Sequence, residues 1–177
     1  MCGKRIELCA KPSAQSAILV RLRSTPRPTM SDPIRFYSVA DEYGEFSSFA
    51  PYPIVVDGRR WPTSEHYFQA AKFKDQRDQD AVRKAKSPML AARMGRDRKR
   101  KLRPDWESCK VSVMRKAVFA KFTQHPDLGA LLLSTGDAKL VEHTENDDYW
   151  GDGGDGRGKN MLGRILMDVR SELKERS

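Results

Sequence analysis

EHTENDDYWGDGGDGRGKN, residues 142–160, is the stretch on which the fold of this chain turns. It carries five glycines, the neighbouring aromatics Tyr149 and Trp150, and a string of acidic side chains, and it ends in Lys159-Asn160, where a helix begins. So few aliphatic residues add little to a core, yet the stretch lies between the strand-like Leu140-Val141 and a strongly periodic helix. Loops of this kind present backbone amides and a few fixed side chains to a ligand. Gly153 to Lys159 matches the G-x-x-x-x-G-K pattern of a phosphate-binding loop, but Asn160 stands where a Mg²⁺-binding Ser or Thr is needed. Asp148-Tyr149-Trp150 make no buried strand before it, and a single helix follows, so no strand–helix–strand unit can form there. The acids also miss EF-hand spacing, and no Glu closes a Ca²⁺ loop. What remains is a bent backbone beside a helix N-terminus, suited to an anion, or else a solvated surface loop.

Outward from this loop the chain is mostly helical. Leu162, Ile165, Leu166, Val169 and Leu173 share one face of the helix that follows. Upstream, Pro126 opens a helix carrying Leu128, Leu131 and Leu132, and Trp106, Cys109, Val113, Ala117 and Ala120 recur at helical spacing over Trp106–Phe122. MLAARMG reads as a short helix ending at Gly95, and residues 74–84 as another that Ser87-Pro88 terminates. Pro62-Thr63-Ser64 supplies helix-start chemistry for EHYFQAAKFK, with Thr63 or Ser64 as cap and Glu65 in the first turn. Ile34–Ser38 reads as a strand and Pro51–Trp61 as a hairpin turning at Asp57-Gly58. The pattern predicts an α+β fold: a mostly helical single domain over residues 31–177, with a small sheet of short strands.

The first thirty residues differ from this body. They hold six basic residues and one acid (Glu7), three prolines and no aromatic residue. Without them the basic count falls from 33 to 27, the acidic count from 24 to 23 and the net charge from +9 to +4. The basic character therefore belongs largely to a tail, which reads as a disordered extension or as an upstream start ahead of Met30; an organelle-targeting segment is a further alternative. A body charge of +4 argues against a nucleic-acid partner. No segment approaches the ~20 apolar residues of a membrane span. Only Cys109 of the three cysteines lies in the body, which points to a reducing compartment, the cytoplasm. Nothing in these residues specifies an oligomeric state.

Glu65 has two readings. A Glu in a first helical turn complements the helix dipole, but Trp61, His66, Tyr67 and Phe68 surround it in a segment too aromatic for a free surface. The dipole favours its ionised form, hence a base or charge stabiliser more than an acid. Trp106 is either core or a platform for a heterocycle beside the seven cations of Arg93–Arg103. That run is a solvated connector or, in a non-catalytic protein, a nucleic-acid contact. His66, His125 and His143 show no metal-ligand spacing.

Phe36-Tyr37-Ser38, Trp61–Phe73 (WPTSEHYFQAAKF) and Glu142–Gly163 together resemble the YbiA-like, or NADAR, family of N-glycosidases. The similarity continues through SPMLAARMGR, WESCKVSVMRKA and LLLSTGDAKLVEHT, and covers about Ile34 to Leu173. The resemblance implies hydrolysis of the C–N glycosidic bond of early riboflavin-biosynthesis intermediates, the phosphoribosylamino-pyrimidines, to ribose 5-phosphate and free pyrimidine. Removal of reactive surplus metabolites would be its purpose. Other branches imply removal of ADP-ribose from a guanine base. The resemblance makes Glu65 the key carboxylate, with Trp106, Trp150 and Asp152 as further site members. Such chemistry builds positive charge on the anomeric carbon, which a carboxylate stabilises. Asp152 is expected to assist the water or the leaving amine, either indole to stack on the pyrimidine, and Lys159 and Arg35 to hold phosphate. Phe36 and Asn160 complete the expected substrate-binding set. No metal or organic cofactor is required. One departure is visible: Ser47-Ser48-Phe49 stands where the family often reads Ser-Asn-Phe.

Overall fold

The computed structural model describes residues 32–176; the tail, whichever of its readings holds, lies outside them. Strand β1 (Ile34–Phe36) is followed by a 3₁₀ turn at Gly44–Phe46 and by the hairpin β2 (Ile54–Val56) and β3 (Arg59–Trp61). Helices α1 (Ser64–Ala70), α2 (Gln76–Arg83), α3 (Pro88–Arg96), α4 (Trp106–Gln124) and α5 (Pro126–Ser134) come next, then β4 (Leu140–Glu142) and α6 (Met161–Arg176). The expected α+β fold is present, with one change: the strands form two separate pairs. β1 and β4 are parallel, Ile34 opposite Leu140, and β2 and β3 are antiparallel, Ile54 opposite Trp61. Asp57 and Gly58 both take positive φ (53° and 71°), the backbone that a two-residue hairpin turn requires.

Local chemistry explains the helix starts. Thr63 caps α1 by accepting from His66 N, Asp75 caps α2, and Ser87, followed by Pro88, caps α3. Gly95, read as a helix stop, lies inside α3 instead. A Cβ there would overlap the amide end of Gln69, so its small size serves the α1–α3 contact rather than a C-cap.

Helix α4 lies between two cores. Met114, Val118 and Phe122 pack with α5, α6 and the β1–β4 pair, while Ala117 and Ala120 face the hairpin, α1 and Val82 of α2. Burial on two sides explains why one predicted stripe does not describe this helix: its second buried row, Met114–Val118–Phe122, lies on another face. Between the rows sits Lys121, 1% exposed, whose ammonium donates to the carbonyls of Glu45 and Ser47, the latter at 2.9 Å. Burial lowers its pKa to about 7. No sequence periodicity marks it, because its partners lie more than seventy residues upstream.

Candidate functional site

α1 delivers Glu65 to the lining of a cavity of about 770 Å³, a size usual for small-molecule sites. The residue is only 5% exposed, and each carboxyl oxygen has a donor. Ser48 Oγ donates to Oε2 at 3.0 Å and Gln69 Nε2 to Oε1 at 2.7 Å. Ser48 also accepts the Glu65 backbone N–H through its carbonyl at 3.1 Å, so one loop residue fixes both ends of the Glu. Burial raises the Glu65 pKa, while hydrogen bonds from Gln69 and Ser48 and the charges of Lys72 and Arg96 work against that rise. The expectation that the helix dipole favours the ionised form is therefore corrected: burial is the largest influence and the pKa is raised, with the site's donors and cations opposing the rise.

One wall is aromatic. Phe68 touches Trp106 (centroids 5.0 Å apart) and Trp150 (5.2 Å), and both indoles line the cavity. Tyr149 meets Trp150 at 5.2 Å on the far side. Lys72, Arg96 and Lys110 supply positive charge along the lining. Lys72 is more deeply placed, and burial lowers its pKa while Glu65 pulls it back up. Tyr37, Val39 and Met89, each about half exposed, line the cavity as well.

The Gly-rich loop turns inward. Asp147 Oδ1 accepts from Tyr149 N and Trp150 N, at 2.9 and 2.6 Å, which places the indole. Asp152 accepts from Thr144 N and Gly154 N and pairs with His143 Nδ1 at 2.8 Å. Burial acts to raise the Asp152 pKa, but the His143 bond and the two amides outweigh it, and the pKa falls. The amides of Gly158, Lys159, Asn160, Met161 and Leu162 donate to carbonyls of residues 148–152. Those five N–H groups are thus engaged within the loop, and the anion cradle expected at this helix start is not what they form.

The structure brings together Glu65, Trp106 and Trp150 of the predicted site and leaves the others off the cavity lining. Phe36 is 2% exposed and packs edge-on against Phe46 in the core, because alternation along β1 points it inward. Arg35, between two buried neighbours, is exposed on the other face. Lys159 lies over the Tyr149 ring at 5.0 Å. Asn160 donates to Leu140 O (2.8 Å) and accepts from Glu142 N (3.0 Å), so its amide pairs with the edge of β4 that β1 does not cover. Asp152 is held by the loop bonds above. The residues that sequence reasoning passed over are Gln69, Lys72, Lys110 and Glu142, all on the lining, while Ser48 was noted only as a departure from Ser-Asn-Phe and Arg96 only within the basic run. The i, i+4 spacing of Glu65 and Gln69 was a usable signal for one of them.

The NADAR domain pattern matches residues 35–174, a span that takes in every residue lining the cavity. The chain belongs to the NADAR family. N-glycosidase YbiA of Escherichia coli (strain K12) is 64% identical over 140 residues, 79% of this chain and 88% of that protein. Riboflavin biosynthesis protein VVA0006 of Vibrio vulnificus is 48% identical over 146 residues, which are 82% of this chain but 40% of the longer relative. The NMR structure of Escherichia coli YbiA superposes with a TM-score of 0.78 at 60% identity, covering 85% of this chain and 90% of that one. In this NADAR domain Ser48, the noted departure from Ser-Asn-Phe, touches the Glu65 carboxyl directly.

Proposed function

We propose that the protein is an N-glycosidase, a hydrolase that cleaves phosphoribosylamino-pyrimidines, early intermediates of riboflavin biosynthesis, into ribose 5-phosphate and the free pyrimidine. The observation that carries this reading is Glu65, buried and doubly hydrogen-bonded on the lining of a cavity it shares with two indoles. The printed names of its relatives, N-glycosidase and riboflavin biosynthesis protein, support the same chemistry. Loss of the amine leaves positive charge spread over the anomeric carbon and ring oxygen. A fixed carboxylate beside that carbon stabilises the charge and accepts a proton from the attacking water. Trp150 and Trp106 offer flat faces to the pyrimidine, and Arg96 and Lys110 offer cations to the phosphate in place of Arg35 and Lys159. A small molecule that fits inside 770 Å³ is the substrate class.

The test is incubation with a phosphoribosylamino-pyrimidine, followed by assay of free ribose 5-phosphate. Glu65→Gln should keep the fold and reduce turnover at least ~100-fold, the usual contribution of one positioned acid–base group. Wild-type protein that releases no ribose 5-phosphate, or a Gln variant with normal turnover, refutes the assignment. ADP-ribosylated guanine tested alongside separates the family's other branch.

A further inference from the structure

Glu142 lies at the last position of β4, and its side chain lines the same cavity as Glu65. Its backbone is gripped from both sides: the N–H donates to Asn160 Oδ1 at 3.0 Å, and the carbonyl accepts from Asp152 N at 2.9 Å. Its carboxyl oxygen Oε2 is buried and has no hydrogen-bond partner within the chain. Ionised, that oxygen would be an unpaired buried charge. Burial, then the like charges of Asp147, Glu65 and Asp152, push the Glu142 pKa up to about 8. Burial raises the Glu65 pKa as well, but each Glu65 oxygen accepts a hydrogen bond and Lys72 and Arg96 add positive charge, whereas Glu142 Oε2 accepts none. Donors and cations favour an ionised carboxyl; apolar burial beside other acids favours a neutral one. Two carboxyls in one cavity, held in unlike surroundings, divide into proton acceptor and proton donor.

We propose that Glu142 is the proton donor to the leaving nitrogen. This rests on the N-glycosidase reading above. As the C–N bond breaks, its electron pair stays on nitrogen and takes the Glu142 proton. The water oxygen bonds to the anomeric carbon and gives one proton to Glu65. One water is consumed, a free amine and a free sugar hydroxyl depart, and proton exchange with solvent returns Glu142 to its acid form and Glu65 to its base form. Asp152 cannot take the donor role from its place off the lining, with its oxygens bonded to His143, Thr144 and Gly154.

Two substrates test the proposal: a phosphoribosylamino-pyrimidine, and the nitrophenyl riboside 5-phosphate, whose nitrophenolate leaves without a proton. The charged groups sharing the lining with Glu142 are Glu65, Lys72, Arg96, Glu107, Lys110 and Asp147. Wild-type activity on the amine should fall as pH rises through about 8, where Glu142 loses its proton, and activity on the nitrophenyl substrate should not. Glu142→Gln should lose at least ~100-fold on the amine, together with that alkaline limb, yet stay near wild type on the nitrophenyl substrate. Glu65→Gln should be slow on both. Equal losses on both substrates for Glu142→Gln, or normal turnover of the amine, overturn the donor role while the N-glycosidase reading stands. If the Gln variant does not fold, the wild-type profiles decide: an alkaline limb on both substrates, or on neither, overturns it. Wild-type protein that cleaves neither substrate ends both the reading and the inference.

Discussion

Trp150 and Trp106 share a wall of the cavity but are held differently. Trp106 is 7% exposed and belongs to the core with Met114 and Val118, whereas Trp150 is only partly buried and packs against that core from the loop. Truncating each should therefore separate binding from stability. Trp150→Ala should raise KM about 10-fold or more with little change in melting temperature, since stacking on a base is worth roughly 1–3 kcal/mol. Trp106→Ala should also destabilise the fold, by about 3 kcal/mol, through the cavity it leaves in the core. Kinetics and thermal melts on both variants check this, and an unchanged KM for Trp150→Ala moves the pyrimidine elsewhere. Glu65 and the two indoles were legible through the motifs that carry the family resemblance, since residue type alone left Glu65 and Trp106 with a structural reading as well. Glu142 was not. It sits among several acids, and no linear pattern says which of them has an oxygen buried without a donor.

At the scale of elements, the α1–α3 contact sets the Glu65 carboxyl. Gln69 reaches back one turn to Glu65, and Gly95 of α3 leaves the room in which its amide lies. Gly95→Ala presents two opposed effects. Ala gains about 1 kcal/mol over Gly inside a helix, while the added methyl displaces the flexible end of Gln69. Stability should thus fall by roughly 0.5–2 kcal/mol, the helix gain offsetting part of the lost Gln69–Glu65 hydrogen bond. Turnover should fall ~10-fold or more, because the Glu65 carboxyl loses a donor worth about 1.5–3 kcal/mol to a charged group. Normal turnover of that variant with phosphoribosylamino-pyrimidine would show Gln69 to be dispensable. The element boundaries themselves were largely readable: the cap at Thr63, the Asp57-Gly58 turn, the break at Ser87-Pro88 and Pro126 act through neighbours within four residues, though Ser87 caps the helix that follows it. Gly95 misled because the same residue type ends helices and makes room between them.

Across the whole molecule, buried ionisable groups shape the response to pH. Glu142 has a folded pKa of about 8 against an ordinary 4.5, so between those values the folded state holds a proton that the unfolded state has lost. Stability falls as pH rises across that window. Lys121 is the reverse case: its folded pKa of about 7 lies below 10.5, the unfolded state binds the extra proton, and stability rises with pH from about 7 upward. These two groups together predict a stability minimum near neutral to slightly alkaline pH. Glu142→Gln should flatten the descending side and Lys121→Met the ascending side, as read from melting temperatures between pH 4.5 and 10.5. Slopes unchanged in both variants would assign the pH response to other groups. By itself the sequence determined the helical elements and the hairpin, since propensity and capping act over a few neighbouring positions, and its family motifs picked out Glu65, Trp106 and Trp150, which line the cavity. Only the tertiary structure decided that Asn160 and Asp152 serve the loop, that Lys121 ties down the segment leading to Ser48, and that Glu142 faces Glu65. Burial and charge environment come from partners distant in sequence, 17 residues from Ser48 to Glu65 and 76 from Glu45 to Lys121, and no local pattern encodes who those partners are.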